Sequence, residues 1–348
     1  GDTLTDTSIE TNLDGNDFDG GAGNDTITGG TGKDTIATST GNDSVIAGGG
    51  ADAITDGSGN SVINAGDGAD TIVMGAGSDN IDAGADNDLI TAAGNLSTLD
   101  TIDGGAGTDT VTVTNVAAAT AGTMTNVEVL TILTEDTTTN TLALAKVSGL
   151  TTLNLGSAIN SSTVDVTGLN SGVTIVNADT QVITATIDTA AAATTTFNAQ
   201  VDMSGGITIT DAATVTITNT AANDTDSTSL ALDTADTTRL DVDSGTAGDL
   251  DIGAISGTNK LATVDLSTQT TGQTLIVDTL VDADALTSIT LTAAGGDLTV
   301  GAIGSGGNAE ALTSITVSAT NNATATMGVT QMDDATNGTA ADSAAADL

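Results

Sequence analysis

Between Asp25 and Asp109 an aspartate recurs at nine-residue spacing, and this spacing constrains the fold more than any other feature of the chain. From Gly20 the sequence divides into eight consecutive nine-residue units, beginning at Gly20, Gly29, Thr38, Ala47, Asp56, Ala65, Met74 and Ala83. An interruption from Ala92 to Asp103 precedes a ninth unit, GGAGTDTVT, at Gly104. The sixth position carries Asp25, Asp34, Asp43, Asp52, Asp70, Asp79, Asp88 and Asp109, with Ser61 in the fifth unit. The eighth position is Ile or Val in every unit, from Ile27 to Val111, and the fourth is Gly in every unit except the one holding Asp86. Repetition at a fixed short period is the signature of a solenoid. A flexible acidic linker would not hold an aliphatic residue at every ninth place.

The spacing carries chemistry. Glycine permits positive φ and close backbone approach, so carbonyl oxygens can face into a turn. The aspartate that follows adds a carboxylate beside them. Three residues with an aliphatic centre then form a short strand whose middle side chain points inward. Two units close one coil, and coils stacked roughly 4.8 Å apart place turns above turns. The sixth-position aspartates are the expected metal ligands. The candidate carbonyl donors are Gly21, Gly30, Gly48, Gly66, Gly75 and Gly105 at the second position and Gly23, Gly32, Gly50, Gly68, Gly77 and Gly107 at the fourth. A file of single Ile and Val residues is too thin a core to hold such a coil without a staple. The segment Leu13 to Asp19 reads as a degenerate opening repeat, with Asp17 as a candidate ligand.

Composition narrows the ligand. The 348 residues include 46 Asp and Glu against 4 Lys and Arg, a formal net charge of −42, with no His and no Cys. Nucleic acid is excluded as a partner, because binding it requires cationic residues against phosphate. Zinc and iron–sulfur sites built on His or Cys are excluded too. Oxygen ligands in this number suit calcium. No apolar run reaches the length of a membrane span, so membrane insertion is not expected.

The nonapeptide run resembles the RTX family, whose unit is written G-G-x-G-x-D-x-U-x, over about residues 15 to 112. The resemblance implies a parallel β-roll, several calcium ions in the turns, and export through a type I secretion channel. Three departures stand out. Ser61 replaces an aspartate, so its ion should be weak or missing. Asp86 replaces a glycine, so its turn should be distorted. Lys33 adds an opposing charge to a turn.

Beyond about Val111 the chain is rich in Thr, Ala, Val and Leu, and alternation of apolar with polar residues indicates strands. Two apolar patterns alternate with a period near 23 to 26 residues. One is Leu261/Val264/Leu266 and Leu286/Ile289/Leu291; the other is Leu250/Ile252/Ile255, Leu275/Val277/Leu280 and Leu298/Val300/Ile303. The expected fold class is therefore all-β: a parallel β-roll over 1–112, then a wider parallel β-solenoid over 113–335, then an acidic tail over 336–348. The pattern blurs between Val173 and Leu232, where a β-sandwich is the alternative. This region resembles the lattice-forming part of RTX-type surface-layer proteins in composition and texture.

No catalytic residue set stands out. The sharpest enzyme hypothesis is a calcium-dependent polysaccharide lyase built on Arg239 among Asp233, Asp236, Asp241 and Asp243; the plainer reading is an arginine that neutralises its neighbours. Catalytic residues are expected to be none, and the chain is not expected to be an enzyme. The expectation is an extracellular, secreted structural subunit of a bacterial surface layer or matrix that folds and self-assembles on calcium. Its expected partners are copies of itself in a lattice or filament, with cell-surface polysaccharide as a further partner. The alternative is a stalk or module of a larger RTX adhesin or exoenzyme.

Overall fold

The computed structural model describes residues 1–5, 15–114, 119–120, 122–134, 139–157, 162–177, 183–199, 206–219, 225–232, 237–244, 249–256, 260–269, 272–280, 285–303, 312–321 and 323–329. Every regular element among them is a β-strand, and the strand pairs are parallel. The chain forms two compact units, residues 1–154 and 155–348.

The first unit is a β-roll. One face stacks Thr3–Thr5, Thr26–Gly30, Ser44–Gly49, Val62–Asp67, Asn80–Ala85, Thr101–Asp103 and Thr123–Thr125. The other stacks Asp17–Asp19, Thr35–Ala37, Ala53–Thr55, Thr71–Val73, Leu89–Ala93, Thr110–Thr114 and Val129–Thr134. Register follows the repeat: Ile27 pairs Val45, then Ile63, then Ile81, while Phe18 pairs Ile36, then Ile54, Ile72 and Ile90. Each strand is short because a glycine turn follows within a few residues, so it encloses only one or two aliphatic side chains.

The core is wider than a single file. Eighth-position residues such as Ile27, Ile36, Ile54, Ile63, Ile72, Ile81 and Ile90 are buried, and so are first-position residues Ala47, Ala65, Met74 and Ala83. Period-two alternation explains this, since a side chain two places on from an inward one also points inward. In one file this second row carries Ala47, Ala65 and Ala83, and in the other Thr38, Asp56 and Met74, all of them buried.

The interruption from Ala92 to Asp103 does not interrupt the stack. Ile102 pairs Ile81 and Val111 pairs Ile90, so the coil continues with three extra residues accommodated at its turn. Nor does Asp86 spoil its turn. It holds φ +78°, in the left-handed region that the fourth-position glycines Gly50 and Gly68 also occupy. Aspartate is among the residues that tolerate this conformation.

The second unit is a wider solenoid. Arg239–Asp243, Thr263–Thr268, Ser288–Ala293 and Ser314–Ala319 stack in one file, and Thr225–Leu232, Leu250–Ser256, Thr274–Leu280, Asp297–Ile303 and Ala325–Val329 in another. The alternating apolar residues read from sequence line the interior: Leu250, Ile252, Ile255, Val264, Leu266, Leu275, Val277, Leu280, Ile289, Leu291, Leu298 and Val300 are all buried.

Between Val173 and Leu232 the described strands are parallel members of the same solenoid rather than a sandwich. Ile183–Ala199 pairs Ser162–Leu169 through its first half and Thr174–Asn177 through its second. Ile207–Asn219 likewise serves two files, pairing Thr225–Leu232 and Arg239–Asp243. Here one strand runs through a coil corner that elsewhere breaks it. Asp211, at φ +63°, takes the bend that a turn takes in other coils.

Removing a buried eighth-position side chain leaves a cavity. Ile72→Ala should cost about 2–5 kcal/mol, whereas Ile46→Ala, at a residue 52% exposed, should change stability by about 0.5 kcal/mol or less. Urea unfolding in calcium-containing buffer checks both.

Candidate metal-binding turns

The sixth-position aspartates are drawn inward by the backbone of the preceding coil. Asp43 Oδ1 accepts the backbone N–H of Asp25 at 2.8 Å, and Asp52 Oδ1 accepts that of Asp34 at 2.7 Å. Asp70 and Asp88 repeat the bond with Asp52 and Asp70. Asp79 Oδ1 takes the amide of Ser61, and Asp109 Oδ1 that of Asp88. The ladder extends to the start of the roll, where the Asp2 amide donates to Asp25 and the Asn16 amide to Asp34. All eight sixth-position aspartates are buried, none more than 3% exposed.

One carboxylate oxygen is therefore satisfied and the other is not. The Oδ2 atoms of Asp25, Asp34, Asp43, Asp52, Asp70, Asp79, Asp88 and Asp109 are buried without a hydrogen-bond partner. A buried charged oxygen with no partner is costly. Burial raises the carboxyls of Asp52 and Asp70 to about 6 and that of Asp88 to about 7; amide bonds from the coil below oppose the rise, and neighbouring carboxylates add to it. Asp79 and Asp109 are also raised by burial, with the charges of Asp56 and Asp100 adding for the first and those of Glu128 and Asp103 for the second.

Glycine is required beside these oxygens for reasons of space. A Cβ on Gly29 would lie 2.3 Å from Asp34 Oδ2, and one on Gly68 would lie 2.0 Å from the carbonyl oxygen of Gly50 in the coil below. The turn backbones thus stack as closely as the strands do. Among the proposed carbonyl donors, that of Gly21 already accepts the Thr40 amide; Gly84, outside that set, accepts the Ala106 amide in the same way. The amides of Gly23, Gly41, Gly50, Gly59 and Gly68 donate to third-position carbonyls one coil on. Among the described residues, the carbonyls of Gly50 and Gly68 accept none of these turn bonds, while that of Gly77 accepts the Ser97 hydroxyl at 3.4 Å.

Among the described residues no three acidic side chains gather into one cluster. The carboxylates are instead strung along the stack, so an ion in a turn would draw the rest of its shell from backbone carbonyls. Calcium fits this donor set: it takes carboxylate and carbonyl oxygens in flexible geometry, and the orphaned Oδ2 atoms are the oxygens it would satisfy. Bound calcium would supply positive charge to neutralise the buried carboxylates.

Several residues of this architecture lie outside the nonapeptide reading. Asp100 stands in the aspartate file, accepting the Asp79 amide at 2.9 Å through Oδ1 and the Ser97 amide at 2.6 Å through Oδ2. Its second oxygen is thus satisfied by the inserted loop. Glu128 continues the other file, its Oε2 accepting the Asp109 amide. Fifth-position asparagines form an exposed second ladder: Asn24 accepts the Asn42 amide, Asn42 that of Asn60, and Asn60 that of Ser78. Asp17 is placed opposite Thr35 with its side chain exposed, while the neighbouring Asn16 occupies the level of the buried file.

In the second unit Arg239 is engaged with carboxylates. It bonds Asp241 at 2.9 Å and Asp265 at 2.5 Å on the exposed face. Asp243 accepts a bond from the Gln269 amide, and Asp233 and Asp236 lie outside the described residues.

The raised carboxyls set a pH dependence for the metal-free roll. An unfolded aspartate titrates near 3.9, and in the fold Asp52, Asp70 and Asp88 titrate at about 6 to 7. The folded state therefore holds protons more tightly, so its stability is greatest below about pH 4 and is lost as the pH rises through about 6 to 7. In excess chelator, circular dichroism should show strand content rising as the pH falls from about 8 to about 5; an unchanged spectrum would contradict the assignment.

The RTX calcium-binding nonapeptide repeat model matches the chain in four copies, at residues 11–45, 46–81, 75–95 and 99–113. No curated protein and no solved structure matches it. Repeats of this kind bind calcium and mark secreted proteins. Through this stack of glycine turns and buried aspartates, residues 11–113 are an RTX calcium-binding nonapeptide repeat region.

Proposed function

We propose that this chain is a structural subunit of an extracellular bacterial surface layer or matrix, folding and assembling with copies of itself when calcium is present. The observation that carries the reading is the series of buried, half-satisfied carboxylates running through the roll. Such a stack is strained by its own charge until divalent ions enter, so its folded state is coupled to external calcium. Extracellular calcium sites work at roughly 10⁻⁴ to 10⁻³ M, a range that keeps the roll unfolded in cytosol and folds it outside.

The second unit supports a scaffold role. Its described interior is filled with aliphatic side chains, and its one described arginine is neutralised by Asp241 and Asp265 rather than held free beside a cleft. An arginine in two ion pairs is a poor candidate for the proton transfer a lyase needs. The repeats by themselves are also compatible with a stalk in a larger secreted protein.

Electron microscopy separates these readings. In millimolar calcium the purified chain should form an ordered sheet or filament that disperses in excess chelator. Dispersed monomers under both conditions would remove the lattice proposal and favour the stalk.

A further inference from the structure

We infer that Asp56 is a calcium ligand, standing in for the carboxylate that Ser61 lacks, so that the fifth unit keeps a metal site by an exchange of positions. The inference rests on calcium binding by the roll and is independent of what the subunit assembles into.

Asp56 occupies the first position of its unit, an inward-facing row that holds buried Thr38 and Met74 in the coils on either side and Ala47, Ala65 and Ala83 in the other file. A carboxylate there needs an explanation, because the row belongs to the core. Asp56 is 6% exposed, and its Oδ2 is buried with no hydrogen-bond partner. Its Oδ1 accepts the Thr38 hydroxyl at 2.7 Å, which fixes the orientation of the side chain.

Geometry shows why the first position can serve. In regular units the first residue faces the carboxylate of the sixth. A Cβ on Gly20 would lie 2.9 Å from Asp25 Oδ2, and one on Gly104 would lie 2.8 Å from Asp109 Oδ2. A side chain leaving the first position therefore enters the space that the sixth-position carboxylate normally fills. The fifth unit alone shortens the sixth residue to serine and lengthens the first to aspartate.

The two tasks of one aspartate are thus divided between two residues. Ser61 Oγ faces the Asp43 amide at 3.4 Å, in the place where an aspartate Oδ1 sits in other coils. Asp56 Oδ2 supplies the unpartnered, buried anionic oxygen. It lies 2.6 Å from the point a Cβ on Gly75 would occupy, against the turn of the next coil. Calcium takes carboxylate oxygen from any chain position that reaches it.

The test uses the full chain and calcium alone, counting bound ions by equilibrium dialysis with radiolabelled calcium. Asp56→Gly, which installs the first residue found at Gly20, Gly29 and Gly104, should bind one ion fewer per chain or hold it at least tenfold more weakly. The double variant D56G/S61D, which restores the regular unit, should regain the wild-type count. An unchanged count and affinity in Asp56→Gly would overturn the assignment, as would failure of the double variant to regain the ion. If Asp56→Gly does not fold, the double variant decides: recovery of folding with the full count supports the exchange, and recovery of folding alone refutes it. A wild type that binds no calcium would overturn the calcium reading of the whole roll, and this inference with it.

Discussion

A carboxylate that is half bonded and wholly buried governs this structure. Each sixth-position aspartate of the roll gives one oxygen to an amide of the coil below and leaves the other without a partner. The first bond is a staple, since it ties each coil to its neighbour at the same level. The second oxygen is a debt of solvation, repeated in both files of turns. Hydrophobic burial is modest here, because strands of three to six residues enclose one or two aliphatic side chains each. The fold is thus built so that a cation, or failing that a proton, completes it. An ion bound there would be part of the structure rather than an accessory.

The staples run in both directions. Sixth-position aspartates accept amides from the coil before, while the adjacent fifth-position asparagines accept amides from the coil after. Two neighbouring residues therefore clamp a coil from above and below, one in the interior and one at the surface. The asparagine ladder needs no ion, being neutral. In the second file of turns the fifth position carries Lys33, Ala51 and Ala69, and the ladder bond recurs at Asn87, which accepts the Thr108 amide, while the sixth-position aspartates persist throughout.

Much of the roll was legible because stacking makes every position answer to the same neighbour one coil away. The Ile and Val file, the aspartate file and the close-packed glycines each obey that rule. What escaped the nonapeptide reading escaped through changes of spacing. Asp100 and Ile102 continue their files after a three-residue insertion, which a strict period of nine registers as a gap. Glu128 continues its file with a longer arm at a longer spacing. Asp86 holds a positive φ, as the glycines at that position do, so its turn survives. In the second unit the apolar patterns marked the interior correctly, yet they lost definition around Ile183–Ala199 and Ile207–Asn219. Those strands pass through a corner with no glycine to punctuate it, and alternation alone does not reveal which file a residue joins.

The second unit meets the same stacking problem with different chemistry. Among its described residues no aspartate or glutamate side chain is buried as a whole, and the enclosed Asp241 Oδ1 faces Arg239. Asp249 and Asp297 still accept amides of the next coil, and threonine hydroxyls add bonds to carbonyls of the preceding coil: Thr237 to Ala212, Thr287 to Ala262 and Thr313 to Thr287. A hydroxyl–carbonyl bond carries no net charge and leaves no orphaned anionic oxygen. Its contribution, about 1 kcal/mol, is not contingent on an ion, and the broader aliphatic interior supplies burial that the roll lacks. Aspartate ladders and threonine ladders are therefore two solutions to one geometric demand, joining a coil to the coil beneath it. The first leaves a buried anionic oxygen at every coil for a cation to satisfy; the second leaves none at its own bonds.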